Sequence, residues 1–143
     1  MKHLTAAYIA GVMDGEGCFY VERFKTDWSP IGFQYRIIAT VTMCDKDTIE
    51  FICNETGKNF RMRKLPSGRT AFTIDWRNSI AANLIRDILP YLKGKAEQAR
   101  LCIHFDETCS PGRGRTYKKE MVVTMEASRQ KLKDLKREGV TRC

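Results

Sequence analysis

The 143-residue sequence contains no apolar run approaching the roughly 18 residues that a membrane-spanning helix needs, so no membrane partner is expected. Its first residues lack the charged-then-apolar layout of a secretory leader. The six cysteines (18, 44, 53, 102, 109 and 143) include no Cys-x-x-Cys pair and no zinc-ligand spacing. Cys102, His104 and Cys109 come nearest to a cluster, and free thiols in a reducing, intracellular compartment are the simpler account. Acidic residues are in deficit: 17 Asp and Glu against 25 Lys and Arg leave a net charge of +8. Such a balance points to a polyanionic partner. No internal repeat appears. What remains is a chain of ordinary apolar content, 43%, long enough to bury a core as one domain over residues 1–143.

One short run stands out from this background. Ile9 to Gly17 reads Ile-Ala-Gly-Val-Met-Asp-Gly-Glu-Gly, an apolar helix running into two acids separated by one glycine. Thr5 is the expected N-cap, and Gly15 or Gly17 the expected stop. Asp14 and Glu16 then sit at a helix C-terminus, where the macrodipole disfavours each negative charge by roughly 0.3–1 kcal/mol. A hard cation such as Mg²⁺ reverses that preference, because it takes carboxylate and carbonyl oxygens together. Ala7, Gly11 and Gly15 share one face of the same helix, and small residues at that spacing let two helix backbones approach closely. If the partner is the same helix of a second subunit, a two-fold axis brings two copies of Glu16 together, as in a two-metal phosphodiesterase.

Along the chain, helical period covers Thr5–Asp14 and strand signals follow. From Gly32, Phe33, Tyr35, Ile37, Ala39 and Val41 alternate with Gln34, Arg36, Ile38, Thr40 and Thr42, the pattern of a half-buried antiparallel strand. Its expected partner is Cys18–Lys25, joined through a turn at Asp27–Gly32, with Phe19 and Val21 inward and Tyr20, Glu22 and Phe24 opposite. Asp45–Glu55 reads as a helix with Ile49, Ile52 and Cys53 inward and Gly57 as its stop; Asp45 and Asp47 open that helix and are not metal ligands. Two more strands contain Phe60 to Arg63 and Ala71 to Trp76, with a hairpin turn at Lys64–Arg69. A helix from Asn78 or Ser79 to Leu89 carries the stripe Ile80, Leu84 and Ile88, and Pro90 ends it. A further helix covers about Lys95 to Phe105, a basic loop 110–115, and a charged terminal helix about 125–138. The expected fold class is α+β, with helices packed on a four-stranded antiparallel sheet.

The non-core faces of those strands carry Gln34, Arg36, Thr40, Arg61, Arg63, Arg69, Thr73 and Asp75, joined by Tyr20 and Glu22. Arg reads guanine bidentately, Gln reads adenine, Asp accepts from cytosine and Thr touches the thymine methyl, so the face suits a DNA major groove. Lys93, Lys95, Arg113, Arg115, Lys118, Lys119 and the Arg129–Arg137 segment are candidates for phosphate contacts.

Ile9–Gly17 resembles, position for position, the signature of the LAGLIDADG homing endonucleases, and Tyr8 and Cys18-Phe19 on either side also suit it. The resemblance implies that Glu16 is the metal ligand, completed by the Gly15 carbonyl, with Asp14 in a supporting role. Glu stands here where Asp is the commoner family residue. Leu89–Gln98 resembles the segment between the family's last two core helices, whose second lysine, here Lys95, is the basic residue near the scissile phosphate. One position departs: Met43, with Cys44 beside it, falls where some members carry a polar residue near the active site. The resemblance implies an αββαββα fold and a homodimer, since there is one motif per chain. It also implies two or more Mg²⁺ ions per dimer, and hydrolysis of both strands of a long pseudo-palindromic double-stranded DNA site with 3′ overhangs. Two alternatives use the same fold: a maturase binding its host intron RNA, and a regulator that binds DNA without cutting it.

Overall fold

The computed structural model describes residues 1–109 and 119–141. In chain order the elements are α1 (His3–Glu16), β1 (Gly17–Lys25), β2 (Phe33–Met43), α2 (Lys46–Thr56), β3 (Arg61–Lys64), β4 (Thr70–Arg77), α3 (Asn78–Ile88), a 3-10 turn (Leu89–Tyr91), α4 (Ala96–Cys109) and α5 (Lys119–Thr141). The four strands form an antiparallel sheet in the order β1-β2-β4-β3. The fold is therefore the expected α+β arrangement. The basic loop 110–115, with Arg113, Arg115 and Lys118, lies outside the described residues.

Period-2 alternation decides which face of the sheet the helices cover. Phe19 and Val21 of β1, Tyr35, Ile37, Ala39 and Val41 of β2, and Phe72, Ile74 and Trp76 of β4 are all buried on one side. Against them pack Ile9, Ala10 and Met13 of α1, Leu84, Ile85 and Ile88 of α3, and Ala99, Cys102 and Phe105 of α4. Burying each large apolar side chain contributes roughly 1.5–3 kcal/mol, so this layer dominates stability. α2 matches its expectation: Asp45 caps it by accepting from the Asp47 N–H at 3.1 Å, and Gly57 ends it in the left-handed conformation at φ 64.

Four expectations need correction. α1 begins at His3 and not at Thr5, so Thr5 lies within the helix and the N-cap position is Lys2, with no side-chain cap. Ile80 is half-exposed, and the buried stripe of α3 is Ala81, Leu84, Ile85 and Ile88. The chain turns from β4 into α3 through Asn78 at φ 53, a conformation asparagine tolerates better than most residues; Leu84 and Ile88 stay on the buried face, and Ile80 falls at its edge because a strict four-residue spacing drifts off a 3.6-residue period. Pro90 does not merely stop α3 but lies inside the 3-10 turn that follows it. The terminal helix is longer than its charged stretch suggested, and it contributes Met125 and Leu132, both fully buried, to the core.

α5 lies along the outer edge of β1. Glu126 accepts from Tyr35 Oη at 2.6 Å and from Arg23 Nη1 at 3.1 Å, with Arg129 Nη1 at 3.3 Å from its other oxygen. Arg23 therefore sits on the helix-covered side of β1, at its rim. Burial alone pushes the Glu126 carboxyl up, but the Tyr35 hydrogen bond and the two guanidinium charges outweigh it and hold the group below the usual range.

Gly17 joins α1 to β1 in ordinary extended backbone, φ −85 and ψ 171, so its freedom at positive φ is not used. Space is what requires glycine: a Cβ there would lie 2.7 Å from the Met13 Cα and from the end of the Met13 side chain. Gly17→Ala is expected to lower stability by about 1–3 kcal/mol through this overlap. Urea unfolding measures it, and an unchanged midpoint would contradict the packing described.

Candidate functional site

The end of α1 is tied to the segment between the 3-10 turn and α4 by two contacts running in opposite directions. Asp14 Oδ2 accepts from the Lys93 backbone N–H at 2.7 Å, and Oδ1 accepts from the Lys95 N–H at 2.9 Å. Lys95 returns the contact: its Nζ donates to the Met13 carbonyl at 2.9 Å and the Gly17 carbonyl at 2.6 Å. An ammonium among the last carbonyls of a helix is favoured by both hydrogen bonding and the macrodipole. Burial lowers the Lys95 pKa from the ordinary lysine value, and the nearby Asp14 and Glu16 charges oppose that shift.

This latch accounts for only one of the two acids. Asp14 is half-buried and occupied by two backbone donors, so its unfavourable position at the helix terminus is compensated. Glu16 is exposed and has no hydrogen bond or ion pair with any described residue. Gly15 is exposed beside it. One carboxylate with nearby carbonyls is a hard, oxygen-only donor set, and Mg²⁺ is commonly held by one or two carboxylates completed by substrate phosphates and water. Among the described residues no group of three or more His, Cys, Asp and Glu gathers that could hold a metal, so one chain alone offers a partial set.

From Gly17 the uncovered face of the sheet begins. β1 and β2 bring Cys18 opposite Thr40, Tyr20 opposite Ile38, Glu22 opposite Arg36 and Phe24 opposite Gln34. β4 adds Thr73, opposite Thr42, and Asp75, opposite Thr40. β3 adds Arg61 and Arg63 beside Thr73 and Ala71. The expected groove residues thus share one face, apart from Arg69, which stands exposed in the β3–β4 turn, where its carbonyl accepts from the Leu65 N–H at 2.9 Å.

Most of these side chains are already paired. Arg36 Nε donates to Glu22 while its guanidinium lies 4.3 Å over the Phe24 ring. Asp75 accepts from Thr40 Oγ1 at 2.7 Å and Arg61 Nε at 3.0 Å, with Arg77 at 3.9 Å. Burial raises the Asp75 pKa, but those hydrogen bonds and the two arginine charges prevail and hold it below the ordinary value of 3.8. Arg77 was not anticipated, although continuing the alternation Thr73, Asp75 one step further reaches it. Lys136 was singled out only as part of a charged segment; α5 sets its Nζ 2.8 Å from Cys18 Sγ and 4.7 Å over the Tyr20 ring. Met43 points away from the groove and packs on the core, so the groove-facing residue at that end of β2 is Thr42, hydrogen-bonded to Thr73 at 2.8 Å.

On α1, Gly11 and Gly15 are exposed, and a Cβ at either would meet nothing within 4 Å. Ala7 is half-buried beside them, and Leu4 and Tyr8 are exposed on the same side of the helix. Gly11 lies inside α1, where glycine costs roughly 0.5–1 kcal/mol relative to alanine, and no contact among the described residues requires it.

A family model described as LAGLIDADG endonuclease matches residues 9–98, well over half of the chain. No curated protein sequence matches it. Among solved structures, the homing endonuclease I-CvuI in complex with DNA in the presence of Mg has a TM-score of 0.75 at 20% identity, over 92% of this chain and 82% of that one. The archaeal intron-encoded homing endonuclease I-Vdi141I, complexed with DNA, has a TM-score of 0.73 at 14% identity, over 92% and 84%. The meganuclease I-SmaMI has a TM-score of 0.70 at 17% identity, and this chain spans only 43% of its length. At these identities the likeness is one of fold.

A double-mutant cycle on Asp14→Ala and Lys95→Met measures the latch. Asp14→Ala alone is expected to cost about 1.5–3 kcal/mol of stability, because it orphans two backbone donors. The cycle should return a coupling of at least about 0.5 kcal/mol, and strictly additive effects would mean that the two contacts are not one unit.

Proposed function

Because this chain belongs to the LAGLIDADG endonuclease family, we propose that it acts as a homodimeric, Mg²⁺-dependent homing endonuclease that cuts both strands of a long, pseudo-palindromic DNA site. The observation that carries this reading is the division of labour at the end of α1: Asp14 is fully engaged and Glu16 is left unpartnered beside a polar, basic groove. Structural relatives support the divalent-ion part, since I-CvuI was crystallised with DNA in the presence of Mg and with its own target in the presence of Ca.

Glu16 would hold the cation with the Gly15 carbonyl, and a second copy of α1 would double that set across a two-fold axis. The chemistry supplied by bound Mg²⁺ is charge stabilisation at the scissile phosphate and a water activated for attack, so no covalent enzyme intermediate is needed. Lys95 has three N–H donors and spends two on the Met13 and Gly17 carbonyls at the α1–β1 junction, which leaves one for a phosphate oxygen. Its backbone and its ammonium are both fixed before DNA arrives, so it costs no reorganisation at the moment of reaction. The groove residues, with Arg36 and Arg61 already braced by Glu22 and Asp75, would read base edges in the major groove of each half-site. Cleavage across the facing minor groove would leave 3′ overhangs. The open glycine face of α1 supports the dimer, and an isologous interface is the commonest way to build one.

Glu16→Gln is expected to abolish cleavage of a plasmid carrying the uninterrupted host locus in Mg²⁺ while DNA binding in Ca²⁺ persists. Normal cutting by the variant would remove Glu16 from the metal site, and no cutting by the wild type would sink the nuclease reading. Gly11→Leu should shift the sedimenting species from dimer to monomer mass. A monomeric wild type, even with DNA bound, would contradict the two-fold arrangement.

A further inference from the structure

The chain has two tryptophans, and their environments are opposite: Trp76 is 1% exposed in the core, whereas Trp28 is 93% exposed at the tip of the β1–β2 turn. This exposure is built into the turn. Thr26 N–H donates to the Gly32 carbonyl at 3.1 Å and Gly32 N–H to the Ser29 carbonyl at 2.9 Å, with Gly32 at φ 77. Trp28 N–H is held by Thr26 Oγ1 at 3.3 Å, and the next residue, Ser29, is turned inward at 9% exposure. The stapled backbone keeps the indole out in water, with no described residue for it to cover.

The position of the tip gives the exposure a direction. Tyr20, Glu22 and Phe24 lead along the uncovered face of β1 away from Glu16 and towards this turn. At about 3.4 Å per residue the nine-residue strand puts the tip roughly 30 Å from Gly17. B-DNA rises 3.4 Å per base pair, so that span reaches roughly nine base pairs outward from the cleavage end. Asp27 next to Trp28 is exposed and repels phosphates, which leaves apolar nucleotide surface as the contact an uncharged ring can make.

We propose that Trp28 is the outer anchor of each DNA half-site, its indole packed against the deoxyribose of a nucleotide at the end of the contact. The inference rests on the DNA-cutting role assigned to the chain. A sugar carries no sequence code, so the contact contributes affinity and fixes the reach of the groove without selecting a base.

The two tryptophans make the test direct. Emission and acrylamide quenching are followed while a mixed-sequence duplex of about 24 base pairs, long enough for both half-sites, is titrated in Ca²⁺ buffer. Anisotropy of a labelled copy of the duplex reports binding separately. Before DNA, Trp28 should be strongly quenched by acrylamide and Trp76 protected; with DNA bound, Trp28 becomes protected and its emission changes. Trp28→Phe should erase that change and keep most of the affinity. Trp28→Ala should weaken binding about 5- to 30-fold, the range for truncating a tryptophan buried at an interface, with the salt dependence unaltered because no charge is removed. Binding with Trp28 as accessible as before, or full affinity in Trp28→Ala, overturns the anchor and leaves the nuclease reading standing. Absence of binding both to this duplex and to the uninterrupted host locus removes both.

Discussion

Everything that gives this molecule a site depends on the reciprocal tie between Asp14 and Lys95. A carboxylate on α1 takes the backbone N–H groups of Lys93 and Lys95, and the Lys95 ammonium takes the carbonyls of Met13 and Gly17. Four hydrogen bonds, each with one charged partner, close around the point where helix becomes strand. Bonds of this kind contribute about 1.5–3 kcal/mol each where they are shielded from water, and less at the exposed Lys93 contact. Gly17 lets that junction pack directly against Met13. The consequence is positional: Glu16 lies between two clamped residues, so its carboxylate is presented outward on a backbone that does not need to move.

The same economy governs the uncovered face of the sheet. Arginines there are braced by carboxylates, Arg36 by Glu22 and Arg61 with Arg77 around Asp75. Exposed ion pairs of this sort add little to stability. Their effect is to limit the rotamers of long side chains, which lowers the entropy cost of presenting a guanidinium to a base edge. Under the proposed function, DNA would exchange partners with acids already in place, and an acid left facing the wrong base would be a penalty that supports discrimination. The tie at the end of α1 and the braced arginines thus use one device, a charged side chain held by a neighbour with donors left over.

Local signals made much of this legible from residue order alone. Two-residue alternation from Phe33 to Thr42 separates groove from core because the strand's geometry is itself local, and the Asp45 cap and Gly57 stop of α2 rest on single-residue chemistry. The Asp14–Lys95 tie is different in kind. It links positions some eighty residues apart through backbone N–H groups, which carry no sequence signature, so Asp14 read only as a supporting acid and Lys95 only as a basic residue by family resemblance. Met43 stands near the site by family resemblance, yet the pleat turns it to the core and brings Thr42 to the groove. Ile80 falls outside the buried face because a strict four-residue spacing drifts off the 3.6-residue period that keeps Leu84 and Ile88 inward. Met125 and Leu132 were hidden within a charged segment, where two apolar residues seven apart on one face suffice to dock a helix already held by Glu126.

The central claim is that the tie occupies Asp14 and frees Glu16 for a cation shared between subunits. Anomalous diffraction from crystals of the protein–DNA complex grown with Mn²⁺ in place of Mg²⁺ tests this most directly. The account predicts anomalous density against the Glu16 carboxylate of each subunit at the two-fold axis, with Asp14 still bonded to the Lys93 and Lys95 N–H groups. Density on Asp14, or a Glu16 turned away with no ion beside it, would contradict it.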